Sequence, residues 1–140
     1  MQTLQNHVPS PITCRIHADH GVFVTTWRGA VSDDDHIRFY LDLFETPDWR
    51  LGLHEIVDLR LADMAGVTPG GLRRLWSIVE SRFADLDIEF KTAVISGSDL
   101  SFGLARLYQM VSDGSPQSLR VFQPLAPALE WVGGPPDLLG

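Results

Sequence analysis

Ile12-Thr13-Cys14-Arg15-Ile16-His17-Ala18, then Asp19-His20-Gly21, then Val22-Phe23-Val24-Thr25-Thr26-Trp27: this stretch decides the fold. Ile12–Ala18 alternates loosely and carries Ile and Thr, which predicts a strand. Val22–Trp27 is β-branched and aromatic and predicts a second strand, closed by Gly29. The three joining residues end in glycine, which accepts the positive φ of a tight turn, so the strands pair as an antiparallel hairpin. The apolar period then changes from two to 3.6. Ser32-Asp33-Asp34-Asp35 offers a hydroxyl N-cap and three acids in a first helical turn, where the helix dipole favours negative charge. Ile37, Tyr40, Leu41 and Phe44 recur at helical spacing as a core stripe, with Phe39 and Leu43 off it.

Strands and helices alternate from there. His54–Leu59 predicts a strand ending near a carboxylate, followed by a loop of small residues. Thr68-Pro69 opens a second helix with a cap and a proline at its first position. Its inward stripe is Leu72, Leu75, Trp76, Val79 and Phe83. Phe90–Ser96 predicts a buried strand. Ser98-Asp99 caps a third helix reaching Val111, with Leu100, Leu104, Leu107 and Val111 inward. Leu119–Phe122 predicts a last short strand and Pro124–Val132 a last short helix. The order β-β-α-β-α-β-α-β-α predicts an α/β fold: a mostly parallel five-stranded sheet, strands in chain order, with an antiparallel first edge strand. One domain is expected over 12–132, with flexible tails at 1–11 and 133–140.

The chain has 140 residues, 44% hydrophobic and 21% charged, close to an ordinary globular mix and far from disordered, fibrous or disulfide-stapled chains. Eleven basic residues against eighteen acidic ones give a net charge of −7, which repels phosphate, so no nucleic-acid partner is expected. Cys14 is the only cysteine and reads as a small strand residue, leaving no intrachain disulfide and no thiol metal cluster. Apolar runs are only a few residues long and residues 1–11 lack the pattern of a signal peptide. No transmembrane segment is expected, and the location is expected to be cytoplasmic.

Trp49-Arg50-Leu51-Gly52 precedes the third strand and Val57-Asp58-Leu59-Arg60 ends it. Phe102-Gly103-Leu104-Ala105-Arg106-Leu107-Tyr108 lies on the third helix, and Val121-Phe122 with Ala128-Leu129-Glu130-Trp131-Val132 closes the domain. In this order, over about Ile12–Val132, the chain resembles the SpoIIAA-like fold of STAS domains, the sulfate-transporter and anti-sigma-factor-antagonist modules. More narrowly it resembles small bacterial STAS-like proteins of uncharacterised role. The resemblance implies an interaction or regulatory module, in a fold where a related superfamily binds lipids. Regulatory STAS domains carry an Asp-Ser-Ser-Gly-like segment at the second helix. Here Gly66-Val67-Thr68-Pro69-Gly70-Gly71 stands there, so Thr68 occupies the serine's place without the acidic signature.

In open α/β sheets ligands gather at the carboxyl ends of strands. Asp58, Arg60, Thr68, Ser98 and Asp99 fall there and form the candidate ligand or partner site. Their plain structural roles are pairing with a nearby acid for Arg60 and helix caps for Thr68, Ser98 and Asp99. Phe102, Gly103, Arg106 and Met110 form the candidate interface: a helix-interior glycine costs roughly 1 kcal/mol and is tolerated where another backbone approaches. Asp33, Asp34 and Asp35 with Asp58 suit Mg²⁺ by residue type, but a helix start explains the first three. His7, His17, His20, His36 and His54 contain no zinc-helix pair, and Gly70-Gly71 lacks the lysine of a phosphate loop. No catalytic residue, cofactor or metal is expected. The expected function is a non-catalytic STAS-like interaction or regulatory module that forms a homodimer or docks a protein partner. The alternative is a carrier or sensor holding a small apolar ligand or lipid between the helices. A hydrolase ranks third.

Overall fold

Gly21 takes φ +67°, and its amide bonds Ala18 O at 3.1 Å to close the one-turn 3-10 segment Ala18–His20. That turn joins β1 (Ile12–His17) to β2 (Val22–Ser32) in the expected antiparallel hairpin. The computed structural model describes residues 10–84 and 86–139, so most of the expected N-terminal tail lies outside the described residues. The remaining elements are α1 (Asp33–Phe44), β3 (His54–Gly66), α2 (Pro69–Phe83), β4 (Phe90–Ser96), α3 (Asp99–Val111), β5 (Gln117–Phe122) and α4 (Leu125–Val132). The sheet order is β1-β2-β3-β4-β5, and every pairing after the first is parallel, as the alternation predicts.

β2 and β3 outrun the predicted Val22–Trp27 and His54–Leu59. Arg28 pairs with Leu61, Gly29 with Ala62, Ala30 with Asp63 and Ser32 with Gly66, through two register shifts. Gly29, at φ +66°, sits inside this extension instead of ending the strand. Residues 60–66 look like a loop in isolation. They form a strand because β2 supplies partners for their backbone groups, while Val31 and Met64 are buried.

One face of the sheet carries α1, α2 and α3, packed on Phe23, Trp27, Val57, Leu59, Phe90 and Val94. All five predicted stripe residues of α2 are buried, each worth roughly 1.5–3 kcal/mol of gross burial. Two other stripes are rotated from expectation. In α1, Leu41 is 40% exposed, while His36 and Leu43 are buried. His36 bonds Asp33 and stacks on Trp27, and this fixes the helix's rotation. In α3, Leu100 is 49% exposed, while Ser101, Leu104 and Ala105 face in. The Ser101 hydroxyl accepts from the amides of Gly97 and Ser98, which draws that side chain inward and turns Leu100 out.

The other face carries α4, on Val22, Val24, Ile56, Ala93 and Ile95. An eight-residue helix leaves part of that face open, and the expected C-terminal tail fills it. Gly133 takes φ +80°, the Gly134 amide bonds Leu129 O at 2.9 Å, and Leu138 is buried in this second cluster. Among the described residues no helix is long and apolar enough to cross a membrane.

Candidate functional site

Asp58 and Arg60 lie two residues apart on β3, so strand periodicity aims them to one side. Arg60 Nε donates to Asp58 Oδ1 and Nη2 to Oδ2, both at 2.9 Å, and the Arg60 amide adds a bond to Oδ1 at 3.1 Å. Burial alone raises the Asp58 carboxyl, but the Arg60 bonds and charge outweigh it and hold it below its usual value. Gly97 packs on this pair, since a Cβ there would stand 2.6 Å from Arg60 Cα. Ser98 and Asp99 follow it, so the chain carries four of the five candidate residues to one end of β3 and β4. The Ser98 hydroxyl caps α3 by accepting from the Ser101 amide at 3.1 Å.

Thr68 is tied elsewhere. Its hydroxyl accepts from the Gly71 amide at 3.0 Å, the expected cap, and donates to Asp33 Oδ2 at 2.6 Å. Its own amide bonds Asp33 Oδ1 at 3.0 Å, and His36 Nε2 meets that same oxygen at 2.9 Å. Asp33 of α1 therefore caps α2. Gly71 is required for this: a Cβ there would come within 2.0 Å of Asp33 Oδ1. Burial raises the Asp33 carboxyl, yet the Thr68 and His36 bonds bring it below its usual value. The carboxylate stands between hydroxyl and imidazole, so His36 is not placed to take the Thr68 proton as a hydrolytic base would. A phosphate on Thr68 would be pressed against Asp33, and the α2 N-terminus already holds its anion.

The candidate interface is partly redrawn. Gly103 is exposed with open space where a Cβ would be, and Met110 is 76% exposed. Phe102 is half-buried, with the Arg106 guanidinium 5.9 Å from its ring centre, so it does not stand fully wet as its position opposite the expected stripe implied. Leu100 takes its place: Leu100, Gly103, Arg106 and Met110 share the outer face of α3.

Sequence reading missed the interior. Thr25, Glu55, Thr92 and Gln117 lie on four adjacent strands, β2 to β5, and all four are buried. They share the helix-covered face: Thr25 falls between Phe23 and Trp27, Glu55 precedes Val57, Thr92 precedes Val94, and Gln117 precedes Leu119 at strand period two. Glu55 Oε2 accepts from Tyr40 Oη at 2.5 Å and from Thr25 Oγ1 at 2.9 Å; neither bond uses Oε1. Gln117 Nε2 meets Thr92 Oγ1 at 2.8 Å, and among the described residues its Oε1 has no partner. Burial pushes the Glu55 carboxyl up to about 7, against the pull of its two hydroxyl partners. The signal was present in the sequence as polar residues at inward positions of otherwise apolar strands.

This polar row lies beside a cavity of about 80 Å³ between the sheet and the three helices. Glu55, Thr92 and Gln117 line it, and the rest of its wall is apolar or aromatic. One ordered water needs about 10–15 Å³ of such space, so the cavity has room for a few waters or one small molecule. Phe44, Trp49 and Tyr108 are lining residues that also reach solvent. Elsewhere, burial pushes the half-buried Cys14 thiol up to about 12, too high for a reactive thiolate. Among the described residues no group of three or more histidine, cysteine or acidic side chains is placed to hold a metal ion.

No protein-family model matches the chain, and no curated protein matches it. Among solved structures it is similar to an uncharacterized protein of the DUF3478 family from Shewanella loihica PV-4, described as having a SpoIIAA-like fold. The two are 14% identical, with a TM-score of 0.54 over 86% of this chain and 91% of the other. Identity that low bears on the fold alone. With five strands in chain order, a first antiparallel pair and four helices among the described residues, this chain has the SpoIIAA-like fold.

Proposed function

We propose that this SpoIIAA-like chain is a small-molecule-binding module, a carrier or sensor, whose interior cavity takes a small, largely apolar ligand. The polar row beside the cavity carries this reading. Inward positions on parallel strands favour aliphatic side chains, and a buried carboxyl with an unpaired amide end costs stability. Four such positions on one face of neighbouring strands, three of them lining one apolar cavity, have the composition of a ligand site: apolar walls with a few convergent polar groups. Native mass spectrometry of protein purified from its own host tests it, beside the cavity-filling variant Ala105→Leu. The expected result is a small-molecule adduct on the wild type that Ala105→Leu lacks. Bare protein that also fails to take up small apolar probes overturns the reading.

A second reading, self-association or docking of a protein partner, is favoured by one observation. Leu100 and Met110 expose apolar side chains on one face of α3, beside the open backbone at Gly103. Sedimentation of wild type and Met110→Asp tests it. Loss of a dimer with unchanged circular dichroism supports self-association, and a wild type that stays monomeric at the highest concentration it tolerates removes self-association and leaves the face as a docking patch for another protein.

A further inference from the structure

We infer that the cavity selects a small aliphatic amine, whose ammonium group pairs with Glu55 inside an aromatic wall. This rests on the ligand-binding reading above and names its ligand class. The cavity combines three features that a neutral ligand does not use together. First, Glu55 is buried without a cationic partner: among the described residues no lysine, arginine or histidine lines the cavity. The titratable group acting on Glu55 is Tyr40 of α1, through its hydrogen bond, and the Glu55 charge in turn raises Cys14 of β1 and Tyr108 of α3; none of the three is positive. α2 contributes apolar wall through Leu72, Leu75 and Val79. Second, the wall is rich in aromatic rings, among them Phe23, Trp27, Tyr40, Trp49, Phe83 and Tyr108. The negative faces of such rings attract a desolvated cation. Third, Glu55 keeps Oε1 clear of both of its hydrogen bonds, and Gln117 leaves one end of its amide unpaired, so an ammonium N–H has acceptors waiting.

The protonation of Glu55 fits this use. A carboxyl near 7 is ready to give up its proton when a cation arrives, and it avoids the cost of an unpaired buried charge when none does. Below that pH, each bound ammonium expels one proton from Glu55 to solvent. The cavity's volume limits the ligand to a few carbons.

Isobutylamine, isobutanol and isopentane share one shape and differ only in the polar end, and the indole NMR signals of Trp27 and Trp49 in the wall report their binding. At pH 8 isobutylamine is expected to bind at least about ten-fold tighter than isobutanol, and its affinity to fall toward ten-fold per pH unit below about 7. Isobutanol should show no such slope. Glu55→Gln should abolish the amine's advantage while isobutanol still binds. If that variant does not fold, the wild-type pH profile decides. Isobutanol or isopentane binding as tightly as the amine at pH 8 overturns the amine assignment and leaves the cavity reading standing. Binding of none of the three overturns both.

Discussion

Glu55 and Asp58 stand three residues apart on β3, and the two carboxylates meet opposite surroundings. An odd spacing on a strand sends them to opposite faces. Asp58 reaches the strand end, where Arg60 wraps it with three hydrogen bonds. Glu55 points under the helices, where its hydrogen-bond partners among the described residues are the hydroxyls of Thr25 and Tyr40. Burial pushes both upward; the cation reverses the shift at Asp58, and two hydroxyls are too weak to do so at Glu55. The candidate site chosen on strand-end logic is therefore electrostatically satisfied. The interior acid that no motif announced is the one still lacking a counter-charge.

The contrast implies a pH optimum with two limbs. Glu55 is raised from 4.5 to about 7, so the folded state holds its proton more tightly. That contribution is full below 4.5 and is lost as pH rises through 7, a span of roughly 3 kcal/mol. Asp33 and Asp58 are depressed, so their contributions are present above the ordinary carboxylate range and are lost as pH falls through their folded values. His36 is lowered by burial, and His54 by burial and the Lys91 charge, so both lose stability as pH falls below 6.5.

The largest expected effect breaks the comparison outright. Glu55→Gln should remove the alkaline limb and raise stability at pH 8 by up to roughly 3 kcal/mol, with little change at pH 5. Urea unfolding at the two pH values reads this, and an unaltered alkaline limb would place the titration elsewhere. Tyr40→Phe, which removes the 2.5 Å bond to Glu55, should cost about 1–2 kcal/mol near neutral pH and move the limb to still higher pH. Arg60→Ala makes Asp58 more like Glu55. Because Arg60 is 42% exposed, the cost should be only about 1 kcal/mol at low salt, shrinking as salt is added. Guanidinium unfolding cannot test a salt effect, so thermal melts across a salt series are the measurement. Thr68→Ala should cost roughly 0.5–1 kcal/mol in thermal unfolding through the lost cap, and Thr68→Ser should restore it.

Much of the architecture was legible locally. Gly21 marks the hairpin, Ser32, Thr68 and Ser98 cap the helices they were assigned, and the α2 stripe is buried residue for residue. Helix rotation was less legible where a polar anchor competes with the apolar pattern. His36 and Ser101 turn α1 and α3 by their hydrogen bonds, so Leu41 and Leu100 face out. The strand extensions of β2 and β3 escaped notice because small residues show no period of their own.

By itself, the sequence determined the order of elements, the parallel sheet and the strand-end residues, because caps, turns and apolar periods act over a few residues. The polar row was decided only by the tertiary structure. Thr25, Glu55, Thr92 and Gln117 each look ordinary in their own strands, and period two says only which side each one takes. Their meeting depends on the register of four strands drawn from across the chain, in which Phe23 pairs with Glu55, Glu55 with Thr92, and Thr92 with Leu119, two residues beyond Gln117. Register is set by the packing of helices on the sheet and by the ladder itself, long-range contacts that no local window contains.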